Sequence, residues 1–186
     1  MKTLETERLI LRPWSLDDAD DFYEYAKHPE VGLNGGWQPH TSRDVSLKII
    51  QYFIEENDIW AIVLKENNKV IGSLGLHLDS KRPGINVREL GFVVSAEHWG
   101  KGIATEASKR AIAHAFDDLN LDLLSTYHKS FNARAKRVIE KCGFTCEGML
   151  RQASKRYDNL IFDAVCYSML KSEYSNFKEK IKWMMI

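Results

Sequence analysis

The chain has 186 residues, 44% of them hydrophobic and 28% charged, and its 26 basic and 26 acidic side chains leave a formal charge of zero. That length suits a single domain with a sizeable core, and the balanced charge excludes a global field that would recruit nucleic acid or an anionic membrane. No apolar run approaches the roughly 20 residues of a membrane span, and the opening Met1–Pro13 segment has acidic residues where an export signal needs an apolar stretch, so a cytoplasmic protein is expected.

In chain order, Leu9, Ile10 and Leu11 form a short β-like run ended by Pro13, after which Ser15 and Asp18 read as a capping box opening an acidic helix toward His28. The polar, Gly-rich stretch Gly32–His40 reads as a loop, and Thr41 with Asp44 as the start of a second helix ending near Glu56. Trp60–Leu64 and Val70–Leu78 are β-rich and joined across Lys65–Lys69 as a hairpin. Arg82-Pro83-Gly84 leads into a strand Val87–Val94, then a Gly-rich turn, a helix from about Gly102 to Asp117, and a strand Leu121–His128. A helix Asn132–Cys142 stopped by Gly143 follows. Two more strands, about Phe144–Gln152 and Phe162–Leu170, flank the loop Lys155–Asn159. This irregular alternation gives an α+β class with a mixed sheet and not a regular doubly wound one. Cys142, Cys146 and Cys166 include no C-x-x-C pair, so neither a disulfide framework nor a metal site is expected. Tyr174, Phe177, Ile181 and Met184 recur at near-helical spacing, as a stripe that packs on its own domain or in a dimer.

The informative stretch is Glu89–Thr105: a strand, a turn holding Gly100 and Gly102, and a helix start free of bulky side chains. The first N–H groups of a helix have no intrahelical partner and sit at the positive end of its dipole, so a diphosphate can bind several at once. Gly100 and Gly102 remove the Cβ atoms that would obstruct it. Thr105 adds a hydroxyl, and Lys101, Lys109 and Arg110 offset negative charge. Two glycines also suffice for a plain tight turn. A dinucleotide fingerprint would need a third glycine where Thr105 stands, and the P-loop pattern is absent.

Trp99-Gly100-Lys101-Gly102-Ile103-Ala104 resembles the [Gln/Arg]-x-x-Gly-x-[Gly/Ala] signature of the GNAT superfamily of N-acetyltransferases, with tryptophan at the first position. Trp99 followed by Gly-Lys-Gly-x-Ala-Thr-Glu-Ala is similar to the RimJ/RimL-like branch, named for the ribosomal-protein alanine N-acetyltransferases. Asn132 followed by Val138-Ile-Glu-Lys-x-Gly143-Phe144, the opening Thr-Glu-Arg-Leu-Ile-Leu-Arg-Pro, Glu147-Gly-x-Leu-Arg151 and Tyr167-Ser-Met-Leu-Lys171 extend the likeness over about Thr3 to Tyr174, leaving 175–186 as a tail.

The resemblance implies the GNAT acyl-CoA N-acyltransferase fold: a twisted, mostly antiparallel sheet with one splayed parallel pair, flanked by helices. It implies acetyl-CoA as co-substrate, bound by Phe92, Val93, Val94, Trp99, Gly100, Lys101, Gly102, Ile103, Ala104, Thr105 and Asn132, with no metal. Pantetheine would enter between the strand ending at Val94 and the one ending near His128. A bulge near Val93–Val94 would aim an N–H at the thioester oxygen. Asn132 would bond pantetheine, cap its own helix, or both. Trp37 falls where the family lines its acceptor groove, although a tryptophan anchoring a loop to the core is as common.

An ammonium must lose a proton before its nitrogen attacks. Period-two geometry puts Glu89 on the same strand face as Gly91, where no side chain obstructs a substrate, so Glu89 is the leading base. Pairing with a basic neighbour, or facing solvent, is the competing account of that carboxylate. His77 and His128 are the reserves, with His77 also counted on the acceptor side. Ala135 and Ile139 stand where relatives carry a serine and a tyrosine, so no acid is assigned. The expected acceptor is a primary amine, either a peptide N-terminus or a small molecule such as a polyamine, amino acid or antibiotic. The expected assembly is a monomer or homodimer. The competing classes are a non-catalytic acyl-CoA-binding module and a nucleotide-binding regulatory domain.

Overall fold

Leu9 and Leu11 are fully buried while Ile10 and Arg12 are half-buried, the alternation of a strand with one covered face. In the computed structural model, which describes residues 1–181, they belong to the first of two compact units, formed by Met1–Gly75 with Phe92–Ala107. Its strands are β1 (Leu4–Glu5), β2 (Leu9–Arg12), β3 (Ile59–Leu64) and β4 (Val70–Leu78), each antiparallel to the one before. The β3–β4 turn closes on Asn68, whose φ of 58° is one that asparagine tolerates better than most residues.

Ser15 and Asp18 make the expected reciprocal capping box on a 3-10 turn that continues as α1 (Ala19–Ala26). Two expectations need correction. The start of the Gly-rich stretch read as a loop, Gly32–Gly35, is helical, in α2 (Pro29–Gly35), because Pro29 starts it at a position needing no N–H and Gly36, at φ 97°, ends it in the left-handed region. The cap of α3 (Arg43–Glu56) is Ser42, not Thr41: the Ser42 hydroxyl accepts from the Val45 amide. Trp14, Phe22, Tyr25, Val31, Ile50 and Val63 form the core of this unit.

The second unit comprises Leu76–Gly91 and the residues from Ser108 on. In it the part of β5 (Val87–Val94) up to Gly91 pairs in parallel with β6 (Leu123–Lys129), from Val87↔Leu123 to Leu90↔Thr126. The hairpin of β7 (Thr145–Lys155) and β8 (Ile161–Leu170) adds antiparallel strands, with β8 beside β6. One parallel pair among antiparallel ones is the mixed α/β class expected. The helices of this unit are the part of α4 (Ile103–Ala113) from Ser108 on, extended by a π turn over His114–Asp118, then α5 (Ala133–Lys141) and α6 (Lys171–Ile181). Gly143 closes α5 at φ 79°, and a Cβ there would sit 2.9 Å from the Phe177 ring. Tyr174 stacks on Phe116 with centroids 4.8 Å apart, so this part of the C-terminal stripe packs on its own unit. The Ile181 side chain and Met184, named with it, lie outside the described residues. Among the described residues no helix is long and apolar enough to cross a membrane.

Candidate active site

In the first unit, β5 ends beside β4. The Ser95 amide donates to the Ile71 carbonyl at 2.8 Å, and a Cβ on Gly72 would lie 2.3 Å from the Val93 carbonyl oxygen. Glycine is therefore required at position 72. Because carbonyl and following amide point oppositely across a planar trans peptide, the Val94 N–H is turned away from β4. The Val94 carbonyl accepts from the Trp99 indole Nε1–H at 2.8 Å, tying the end of the strand to the start of the next turn. Trp99 and Val93 also pack against the core of this unit.

The turn after Trp99 takes Gly100 to φ 76° and Gly102 to φ 80°, values L side chains rarely adopt. Among the described residues, its own chain neighbours aside, no atom lies within 4 Å of where a Gly100 Cβ would stand, so the turn presents its main chain to open space. The Glu106 amide makes a bond back to the Gly102 carbonyl at the start of α4, and the Ile103, Ala104 and Thr105 amides precede it, directed outward along the axis. A row of outward amides at a positive helix end is geometry that can bind an anion. Two contacts absent from the sequence reading hold it: Arg8 Nη1 donates to the Lys101 carbonyl at 3.1 Å, and the Glu106 carboxylate receives Thr6 and Arg8. The opening Thr-Glu-Arg-Leu motif signalled them only as part of a resemblance.

In the second unit, Glu89 and Gly91 share a face of β5, and a Cβ on Gly91 would meet His77 Nε2 at 3.4 Å, so the structure brings His77 and Glu89 to that same face. Glu89 is engaged: the Lys81 ammonium donates to its carboxylate, and Lys81 also lies 5.6 Å from the centroid of the Tyr127 ring. Burial lowers the Lys81 pKa, but the bond to Glu89 and the Glu89 charge outweigh it and hold the ammonium above its ordinary value. Asp79 anchors the loop that delivers Lys81, accepting from Ser125 Oγ at 2.8 Å, the Lys81 amide at 2.8 Å and Arg82 Nη1 at 2.6 Å. Burial would raise its pKa; those donors together lower it.

The Asn132 side-chain oxygen accepts from the Ala135 amide at 3.0 Å, which fulfils the cap; its NH2 group is the donor end for any ligand. Trp37 folds over Gly35 and packs against the first unit's core, with Nε1 3.5 Å from the Ala26 carbonyl. His128 is buried, its Nδ1 donating to the Lys129 carbonyl and its Nε2 positioned to accept from the Tyr167 hydroxyl at 3.3 Å. Both ring nitrogens thus have structural partners.

Comparison with known proteins gives one consistent likeness. The family described as acetyltransferase (GNAT) domain matches residues 8–145. A protein of Bacillus licheniformis named uncharacterized N-acetyltransferase p20 is 34% identical over 180 residues, covering 94% of this chain and 99% of that protein. An acetyltransferase (GNAT family) structure from Bacillus anthracis superposes with a TM-score of 0.83 at 21% identity, over 92% of this chain and 100% of that one. The microcin C7 self immunity acetyltransferase MccE, solved in complex with acetyl-CoA and AMP, gives a TM-score of 0.76 at 21% identity, over 88% and 93%.

Proposed function

The chain belongs to the acetyltransferase (GNAT) family, and from that premise we propose that it acetylates a primary amine directly from acetyl-CoA in a ternary complex in the cytoplasm, with a protein N-terminal α-amine as acceptor. The observation carrying this reading is the Gly100–Gly102 turn, whose positive φ angles and open Cβ position leave room for a diphosphate against the start of α4. The RimJ/RimL-like sequence around Trp99 supports the choice of acceptor.

The residues present fit coenzyme A. Main-chain groups of Gly100, Lys101, Gly102, Ile103, Ala104 and Thr105 would hold the diphosphate, with Trp99 fixing the turn. Main-chain groups of Phe92, Val93 and Val94 and the Asn132 amide would hold pantetheine. Bound there, acetyl-CoA supplies the thioester that the amine attacks. The Val94 N–H, turned away from β4, is the donor suited to the developing oxyanion. Glu89 would receive the proton of the incoming ammonium, with its carboxylate oriented by Lys81, and the acceptor-side roles go to His77 and to Trp37. Ala135 and Ile139 have no exchangeable side-chain proton, so no side chain is assigned as acid, and the departing coenzyme A thiolate, a tolerable leaving group, takes its proton from water.

Thiol release from acetyl-CoA, measured against peptides beginning Ala or Ser, polyamines, amino acids and aminoglycosides, tests this reading. Turnover is expected to be greatest with the peptides. Turnover only with small-molecule amines would move the acceptor, and binding of acetyl-CoA with no thiol release for any amine would overturn the catalytic reading.

A further inference from the structure

The turn that presents its amides has two glycines with positive φ within three residues, so on its own it has more backbone freedom than most segments. What restrains it comes from about a hundred residues earlier, the β1–β2 hairpin. Glu106, in the first turn of α4, takes the Thr6 hydroxyl on Oε1 at 2.6 Å, the Arg8 amide on Oε1 at 3.0 Å and Arg8 Nε on Oε2 at 2.7 Å, with Arg8 Nη2 on Oε2 at 2.6 Å. The same guanidinium reaches the Lys101 carbonyl through Nη1 and lies 3.5 Å from where a Gly102 Cβ would stand. One planar fork thus grips both sides of the turn, the residue between the glycines and the helix behind them.

Resting on the proposed coenzyme A site, we propose that Arg8 is a positioning residue for the diphosphate turn, acting through Lys101 and Glu106. Three physical consequences support it. Fixing the Lys101 carbonyl toward Arg8 turns the Gly102 N–H the opposite way, since the two are anti across one peptide plane. Pairing with Arg8 neutralises the Glu106 carboxylate, which would otherwise repel a diphosphate at the same helix end. The Glu106 side chain is 19% exposed, and although burial raises its pKa, Thr6 and Arg8 hold it below the ordinary value, so it is ionised and in need of that partner at neutral pH.

The test is calorimetric titration of the full chain with coenzyme A and with pantetheine, which lacks the diphosphate, alongside amide hydrogen exchange of residues 101–105 in the free protein. Arg8→Ala is expected to weaken coenzyme A by ~10–100-fold, the scale of a charge-assisted hydrogen bond, to leave pantetheine within about twofold, and to speed exchange at those amides about tenfold or more. Arg8→Lys keeps the charge without the fork and is expected to recover only part of the loss; it carries the test if the alanine variant fails to fold. Arg8→Ala/Glu106→Gln is expected to bind better than Arg8→Ala, because the uncovered anion is gone. Unchanged coenzyme A affinity and exchange in Arg8→Ala, or equal losses for coenzyme A and pantetheine, would overturn the assignment while the site stands. Failure of the unaltered chain to bind coenzyme A would overturn the site and the assignment with it.

Discussion

The turn at Gly100–Thr105 and the face around Glu89 solve opposite problems with opposite materials. The turn, in the first unit, is built of main chain: its working groups are amides aimed by helix geometry, and side chains serve only to hold them. The Glu89 face, in the second unit, is built of side chains, and every charge described on it is met by another: Lys81 on Glu89, Arg82 on Asp79 and Glu147. A site made of backbone is damaged by adding atoms, whereas a site made of paired side chains is damaged by removing one partner and leaving the other uncompensated.

The largest effect should follow from adding atoms. Gly100→Val/Gly102→Val forces β-branched residues into positive φ and fills the open space beside Gly100. Coenzyme A affinity, read by calorimetry, is expected to fall at least ~100-fold through loss of several amide contacts. Retained affinity would mean that the diphosphate lies elsewhere.

The removal experiment belongs to the other region. Glu89→Gln is expected to lower kcat by ~100-fold, the lower end of general-base contributions, with coenzyme A affinity within about twofold. It also has a direct electrostatic readout: with its raising partner gone, the Lys81 ammonium should titrate at lower pH, since burial then acts with less opposition. NMR titration of the Lys81 side chain checks the sign, and an unmoved Lys81 would show that the ion pair does not form in solution.

The same contrast explains what the sequence discloses. β5 is legible to its end residues, Val87–Val94, because a β-rich run bounded by turn residues depends on local chemistry alone, and Gly100 and Gly102 are legible because positive φ restricts residue type so strongly. Glu89 is placed on its face by period-two geometry, yet its partner Lys81 arrives on a loop fixed by Asp79 and Ser125, a contact 46 residues apart that no local pattern records. Arg8 is hidden likewise, 98 residues from Glu106. The α2 helix is missed for a different reason: its Gly and Asn content suggests a loop, while Pro29 and Gly36 act as start and stop signals that override composition.

The smallest effect concerns a lysine of the second unit whose charged form burial disfavours. Lys129, at the end of β6, is buried with its ammonium 5.4 Å from the Phe162 ring centroid, and burial, with the nearby Arg156 charge, pushes its pKa down from 10.5 to about 8. A lysine whose folded pKa is depressed destabilises the fold while it remains protonated. Below about pH 8 the cost is fully present, and between about 8 and 10.5 the unfolded chain holds more protons than the folded one, so stability rises with pH across that window. The cation–π contact recovers only about 0.5–1 kcal/mol, less than the desolvation it accompanies. Lys129→Met, which keeps a long apolar stem on Phe162, should therefore stabilise the protein by about 1–2 kcal/mol at pH 7 in urea unfolding and flatten the rise above pH 8. A loss of stability at pH 7, or a rise that persists in the variant, would show that protonated Lys129 is not the source of this pH dependence.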